Sequence, residues 1–318
     1  MMNYNENKPP AIVIAGPTAS GKTSLGIALA EILDGEIISA DSMQIYKGMD
    51  IATAKPSAEE LAAVPHHLIG FLDRNQSFSV ADYVKLADEK IKDIISRNKL
   101  PIIVGGTGLY IDSLVENIQF CEIEGNPEIR RNLENQALIY GSEKLLERLY
   151  QIDSETASQL HANNQKRIIR AIEVYEVTGR KISDLRKESR CCESPYRWLM
   201  FGLTAQNRQF LYDRINLRTD MMVRNGLVQE AESIWLESDI KTAHQAIGFK
   251  ELIPYFQKNA SLEECIDKIK LETRHYAKRQ LTWFRKNDRI KWIDIDKFDT
   301  TDKIIGNCLK CIANNNFL

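Results

Sequence analysis

No apolar run in this 318-residue sequence approaches the about 18 residues that a membrane-spanning helix needs. Contact with a membrane is therefore not expected. The stretch Met1 to Pro10 is polar and lacks the charged-then-apolar pattern of an export signal, so the expected compartment is the cytoplasm. Cysteine is scarce and unevenly spaced: Cys121, Cys191, Cys192, Cys265, Cys308 and Cys311 do not form the framework of a secreted disulfide-rich domain. Cys308 and Cys311 make a CxxC, but without a second pair or a nearby His they read as two thiols one helical turn apart rather than a zinc or redox centre. Net charge is nearly absent as well. The 42 Lys and Arg against 44 Asp and Glu leave −2, which on average gives no reason to expect a polyanionic partner. With only 9 Pro and 16 Gly, long disorder is not expected either.

What is present suits a large ordered protein. A hydrophobic content of 43% with 27% charged residues is enough to bury a sizeable core, and the length is about twice that of a common domain. The spacing predicts a strand over Ala11-Ile12-Val13-Ile14-Ala15, then Gly16-Pro17-Thr18-Ala19-Ser20-Gly21-Lys22-Thr23, then a helix carrying Leu25, Ala28, Leu29 and Ile32. Further strands are expected at Glu36–Ala40, Pro101–Val104 and Trp198–Leu203, with a short one at Trp292–Ile295. Strand, helix and strand at these lengths imply a parallel sheet covered on both faces. Between Ile118 and Arg197 strand signals vanish, so residues 118–197 are expected to form an inserted all-helical domain, with 1–117 and 198–318 making a P-loop NTPase-like α/β core.

The octapeptide beginning at Gly16 fits GxxxxGK[ST] in the required strand-to-helix setting. Gly16 and Gly21 let the backbone curl so that successive amides face inward, Lys22 adds a cation, and the helix amino end adds its dipole. Thr23 offers a hydroxyl to the Mg2+ that accompanies a diphosphate or triphosphate. A phosphoryl-transfer enzyme usually has a second acid at the end of an apolar strand. Here the strand at Pro101 ends in Gly105-Gly106-Thr107, while the strand at Glu36 delivers Asp41. That carboxylate is placed either as a general base beside the loop or as an ordinary turn residue.

Beyond Asp41 come Ser42-Met43-Gln44-Ile45-Tyr46, Thr53-Ala54-Lys55-Pro56, Pro65-His66-His67-Leu68 and Val104-Gly105-Gly106-Thr107-Gly108-Leu109-Tyr110. Leu211–Arg218, Ala246–Leu252 and Thr273–Arg285 follow in order. Taken together, these blocks resemble the tRNA dimethylallyltransferase (tRNA isopentenyltransferase) family over nearly the whole chain. The lack of the zinc finger that closes eukaryotic relatives resembles the bacterial type. Ala52 and Phe249 depart from the family's more usual Gly and Tyr.

The resemblance implies transfer of a dimethylallyl group from dimethylallyl diphosphate to the exocyclic amine of an adenine beside the tRNA anticodon, by a monomer that uses Mg2+. It implies catalytic roles for Asp41, Lys22 and Thr107, and diphosphate binding by Thr18–Thr23. It implies tRNA contacts at Asp41, Ser42, Met43, Gln44, Thr107, Arg130, Gln165, Lys166, Arg167, Ile168 and Ile169. Gln44 has the amide chemistry to read an adenine edge. Arg214 and Arg218, four apart on an expected helix, either reach the diphosphate or pair at the surface with Asp213 or Asp220. His66 and His67 are expected to be structural. A prenyltransferase of free adenine nucleotides and a P-loop kinase are the alternatives.

Charge is unevenly spread along the chain. Residues 161–190 hold eight basic against four acidic side chains and 270–291 hold eight against two, whereas 116–160 hold four against nine. Two basic zones suit phosphate-backbone contact. In the first, Lys166 and Arg170 share a helical face opposite Ile168, Ile172 and Tyr175; in the second, Tyr276, Trp283 and Phe284 are expected to be core.

Overall fold

The structure is a computed structural model in which residues 8–121, 123–237 and 243–318 are described. They fall into two compact units, Met1–Val115 with Pro195–Leu318, and Glu116–Ser194.

The first unit is built on six parallel strands, β1 (Pro10–Ala15), β2 (Gly35–Ser39), β3 (His66–His67), β4 (Leu100–Gly105), β5 (Arg197–Thr204) and β6 (Ile290–Asp294). Their spatial order is β3-β2-β4-β1-β5-β6. Central β1 is buried on both faces because its side chains are apolar in both registers; Ile12 and Val13 pair with Ile102 and Ile103 of β4 and with Leu199 and Met200 of β5. Two-residue β3 had no counterpart in the sequence reading. It lies on the β2 edge, where His67 Nε2 meets Glu36 Oε2 at 2.8 Å, and the histidine pair serves the sheet rather than a metal.

The helices of this unit are α1 (Lys22–Ile32), α2 (Ala58–Ala63), α3 (Val80–Ser96) and α4 (Gly108–Val115) before the second unit. In the second unit come α5 (Pro127–Tyr140), α6 (Ser142–Ile152), α7 (Ser154–Ala157), α8 (Gln165–Thr178) and α9 (Ile182–Glu188). Back in the first unit are α10 (Arg208–Arg224), α11 (Leu227–Trp235), α12 (Ile253–Phe256), α13 (Leu262–Phe284) and α14 (Thr301–Asn314). Helix α3 shows the local logic. Ser79 and Asp82 form a capping box, and Tyr83, Ala87, Ile91 and Ile94 recur at helical spacing on the buried stripe. That stripe and α4 cover one sheet face with Val13 and Ile103, while α1 and α14 cover the other with Ile12, Ile14 and Ile102. Cys308 is sealed in this second layer, and Cys311 receives a contact from Lys291 Nζ at 3.3 Å.

The second unit has its own core, in which α5, α6 and α8 meet through Leu133, Leu145, Leu149, Ile168 and Ile172. Within it, buried Glu173 accepts from Arg130 at 3.0 Å, from Arg170 at 3.1 Å and from the Asn126 amide at 2.9 Å. Burial would raise this carboxyl; the two guanidinium groups outweigh it and hold it below the usual range. No described helix is long and apolar enough to cross a membrane.

Candidate active site

In an open parallel sheet, ligands gather at the carboxyl ends of the strands, where neighbouring connections diverge. Here the loops after β1, β4 and β2 lie side by side in that order, and a cavity of about 320 Å3 opens above them. Its wall includes Thr18, Lys22, Asp41, Gly106, Arg218 and Tyr276.

The loop after β1 is wound by Ala19 and Gly21 in the left-handed region, at φ 62° and 90°, the alternation that turns backbone amides toward one centre. Ala19 packs on Leu211, Ile215 and Ala277, so α10 and α13 hold the loop from outside. Arg214 Nε donates to Ala19 O at 2.8 Å. The two acids named as surface alternatives have other partners here: Asp220 pairs with Lys270 at 2.6 Å, and Asp213 accepts from Gln209 at 2.8 Å. Arg218 instead lines the cavity.

Lys22 Nζ donates to Pro17 O at 2.6 Å. Burial first and Arg218's charge second push its pKa down to about 7, against the opposing pull of Asp41. Burial also lowers Arg218 from its usual value, again against Asp41. Two repelling, partly buried cations on one cavity wall are stabilised by an anion between them. The buried Ser20 hydroxyl has no hydrogen-bond partner, which further fits an oxygen-rich ligand.

Asp41 begins a turn in which its Oδ1 accepts the Met43 and Gln44 amides at 2.9 and 3.3 Å. Its Oδ2 makes no hydrogen bond among the described residues, so the carboxylate is both turn former and free acceptor. The Thr107 hydroxyl receives the Ser42 amide at 3.0 Å, and the Thr107 amide reaches Ala40 O at 3.1 Å. Gly105, the last residue of β4, is required where it passes the residue after β2, since a Cβ there would lie 2.2 Å from Ala40 O.

Gln44 is differently occupied from the base-reading role expected of it. Its Nε2 donates to Thr53 O and Ala54 O, both at 3.2 Å, and its Oε1 accepts from Ser39 at 3.0 Å. With its amide committed to the protein, it fastens the 53–54 loop to the Asp41 turn. That loop is also held from α11, where Glu230 accepts the amides of Asp50, Ile51 and Ala52 at 2.7, 2.8 and 3.0 Å. Ala52 fits because its backbone avoids the left-handed region, and Phe249 fits because its ring is buried with Leu227 and Leu252.

Among the cavity residues not singled out as site residues in the sequence are Tyr276, Arg279 and Gln280, all on α13. Tyr276 was expected to be core. It faces the cavity, and burial first and Asp41's charge second keep its phenol protonated well above the ordinary range. Trp283 is partly exposed and donates to Asp112 at 2.6 Å; of the three aromatics only Phe284 is fully buried.

The expected RNA contacts of the second unit divide by burial. Lys166 and Arg167 are exposed and have no ion pair among the described residues, which leaves them available to phosphate. Ile168 and Ile169 are core, so their side chains hold α8 rather than meet a partner. Arg130 is committed to Glu173, and Tyr175, expected to pack, is half exposed. In the first unit Lys278, Arg279, Arg285 and Lys286 are likewise exposed without an ion pair among the described residues.

The sequence profile of the IPP transferase family matches residues 44–287. A tRNA dimethylallyltransferase of a Thermoanaerobacter species is 48% identical over 95% of this chain and 97% of its own. That of Acetivibrio thermocellus is 48% identical over 93% and 95%. Among solved structures, the tRNA isopentenylpyrophosphate transferase of Bacillus halodurans superposes with a TM-score of 0.71 at 44% identity, covering 96% of each chain. A eukaryotic dimethylallyltransferase acting on tRNA superposes with a TM-score of 0.82 at 28% identity, over 97% of this chain and 80% of that one.

Proposed function

The chain belongs to the IPP transferase family, and from that premise we propose that it is a tRNA dimethylallyltransferase using dimethylallyl diphosphate. The observation that carries this reading is a single cavity bearing both an anion cradle and a free carboxylate oxygen, with no second acid at the end of β4. Such a cradle suits a departing diphosphate rather than a phosphoryl donor.

The adenine amine is a poor nucleophile because its lone pair is delocalised into the ring. As its nitrogen bonds to the allylic carbon, the carbon–oxygen bond breaks and the electron pair leaves with the diphosphate. Asp41 Oδ2 takes the amine proton, a contribution of about a hundredfold to ten-thousandfold. The loop amides, Lys22 and Arg218 receive the charge that grows on the leaving group, which is usually the larger effect.

Magnesium fits this donor set. Thr23 supplies one hydroxyl, and no cluster of three or more His, Cys, Asp or Glu occurs among the described residues. Diphosphate oxygens and water would complete the octahedral shell this ion prefers. When bound, the ion neutralises charge on the leaving diphosphate. The tRNA backbone meets the exposed cations Lys278 and Arg279 of α13, and the target base leaves its stack to enter the cavity. The protein works as a cytoplasmic monomer.

A competition experiment tests the reading. Labelled dimethylallyl diphosphate, Mg2+, unmodified tRNA and free AMP are supplied together; label is expected on tRNA. Label on AMP alone would reject tRNA as the substrate.

A further inference from the structure

The leaving-group site and the base arrive on separate strands. The phosphate loop follows β1, the Asp41 turn follows β2, and β4 runs between them. Their separation therefore depends on the loop after β4, Gly105–Thr107. On the base side this loop is tied by Thr107, through Ser42 and Ala40. On the phosphate side, beyond the β1–β4 ladder that ends at Ala15 and Gly105, a side chain of a distant helix joins the two loops. Gln280 Oε1 accepts the Thr18 amide at 2.8 Å, and its Nε2 donates to Gly106 O at 2.9 Å.

Three observations show that this join is built in. Gln280 is only 5% exposed, so losing either bond leaves a buried polar group unmet. Gly106 lacks the Cβ that would lie 2.1 Å from Gln280 Nε2. Finally, the end of α13 is immobilised: Trp283 donates to Asp112, its ring lies where a Gly108 Cβ would be 2.2 Å away, and Phe284 is fully buried.

We propose that Gln280 is the positioning residue that fixes the phosphate loop relative to the turn carrying Asp41, so that leaving group and acceptor nitrogen stay in line. The chain of contacts runs Thr18, Gln280, Gly106, Thr107, Ser42, Asp41. This inference rests on the prenyl-transfer reading above. A displacement of about 1 Å between reacting groups costs on the order of a hundredfold in rate, and that is the effect assigned to losing Gln280.

The test is steady-state kinetics on the full chain with dimethylallyl diphosphate and tRNA, accompanied by hydrogen exchange of the phosphate-loop amides. Gln280→Met keeps the volume and removes both bonds. It is expected to lower kcat by about a hundredfold with KM for each substrate within about threefold, and to speed exchange at Thr18. Gln280→Glu keeps the acceptor for Thr18 but cannot donate to Gly106, and is expected to lose kcat as well. Should Gln280→Met not fold, Gly106→Ala is the second probe. It pushes the amide aside, and the loss is expected not to deepen when Gln280→Ala is added. Wild-type kcat in Gln280→Met, a change confined to KM, or additive losses in the double variant would overturn the proposal. An inactive wild-type protein would instead sink the prenyl-transfer reading, and the exchange of Thr18 would still report on the clamp.

Discussion

Ser42 donates its amide proton to the Thr107 hydroxyl at 3.0 Å, tying the residue after Asp41 to the loop that leaves the sheet after β4. The bond is part-buried and has no substitute acceptor on Val. Thr107→Val is therefore expected to cost about 1 kcal/mol of stability and to lower kcat by on the order of tenfold, whereas Thr107→Ser retains both. Equal kcat for the valine variant and the wild type would remove Thr107 from the positioning path.

Lys22 carries the clearest pH signature. With its pKa pushed down from 10.5 to about 7, it is largely neutral in the ligand-free protein at about pH 8.5. An anion seated beside it favours the charged form, so binding inorganic pyrophosphate at that pH should take up close to one proton. Calorimetry in buffers of different ionisation enthalpy measures this, and a Lys22→Met variant should show no uptake. The stability effect has the matching sign. The folded state binds fewer protons here than the unfolded state between about 7 and 10.5, so the fold gains stability as pH rises through that window.

Glu36 behaves in the opposite way. Arg97 is the main cause, with His67 helping against burial, that holds its pKa near about 2 instead of 4.5. Its contribution is complete above 4.5 and is lost as pH falls toward about 2. Arg97→Met should move the acid-unfolding midpoint to higher pH, followed by circular dichroism. An unmoved midpoint would mean that this buried carboxylate does not govern acid stability.

Glu230 gathers three loop amides from a helix about 180 residues away. Removing it should free the 50–54 loop that Gln44 ties to the base turn. Glu230→Ala is expected to cost about 2 kcal/mol and to raise protease sensitivity near Lys47 and Lys55 before global unfolding. Unchanged cleavage kinetics would show that the loop is held without it.

The phosphate loop, Asp41 and the parallel sheet were legible because each is written in contiguous residues: an apolar strand, a glycine loop, a helix start. The glycine-rich loop and Asp41 lie within 26 positions of the chain, and their motifs carry their own geometry. Gln280, Tyr276 and Glu230 were not legible. Each is one polar residue of an amphipathic helix, and its meaning comes from a partner 174 to 262 residues distant in the chain for Gln280 and about 180 for Glu230. Gln44 is a different case. Its chemistry suits an adenine edge, but three nearby groups use the same amide first. Ile168 and Ile169 show the limit of a linear motif, since a helix turns two of its five consecutive residues into the core.

The central claim is that one cavity holds a departing diphosphate while Asp41 deprotonates a tRNA adenine. Its most direct test is the mass of nuclease fragments from unmodified tRNA incubated with Mg2+, dimethylallyl diphosphate and either wild-type protein or Asp41→Asn. The asparagine keeps the Oδ1 acceptor of the turn and loses the base. The account predicts an anticodon-loop fragment heavier by one dimethylallyl group with the wild type, formed about a hundredfold to ten-thousandfold more slowly with the variant. Equal rates for the two proteins, or a fragment that never gains the prenyl mass, would contradict it.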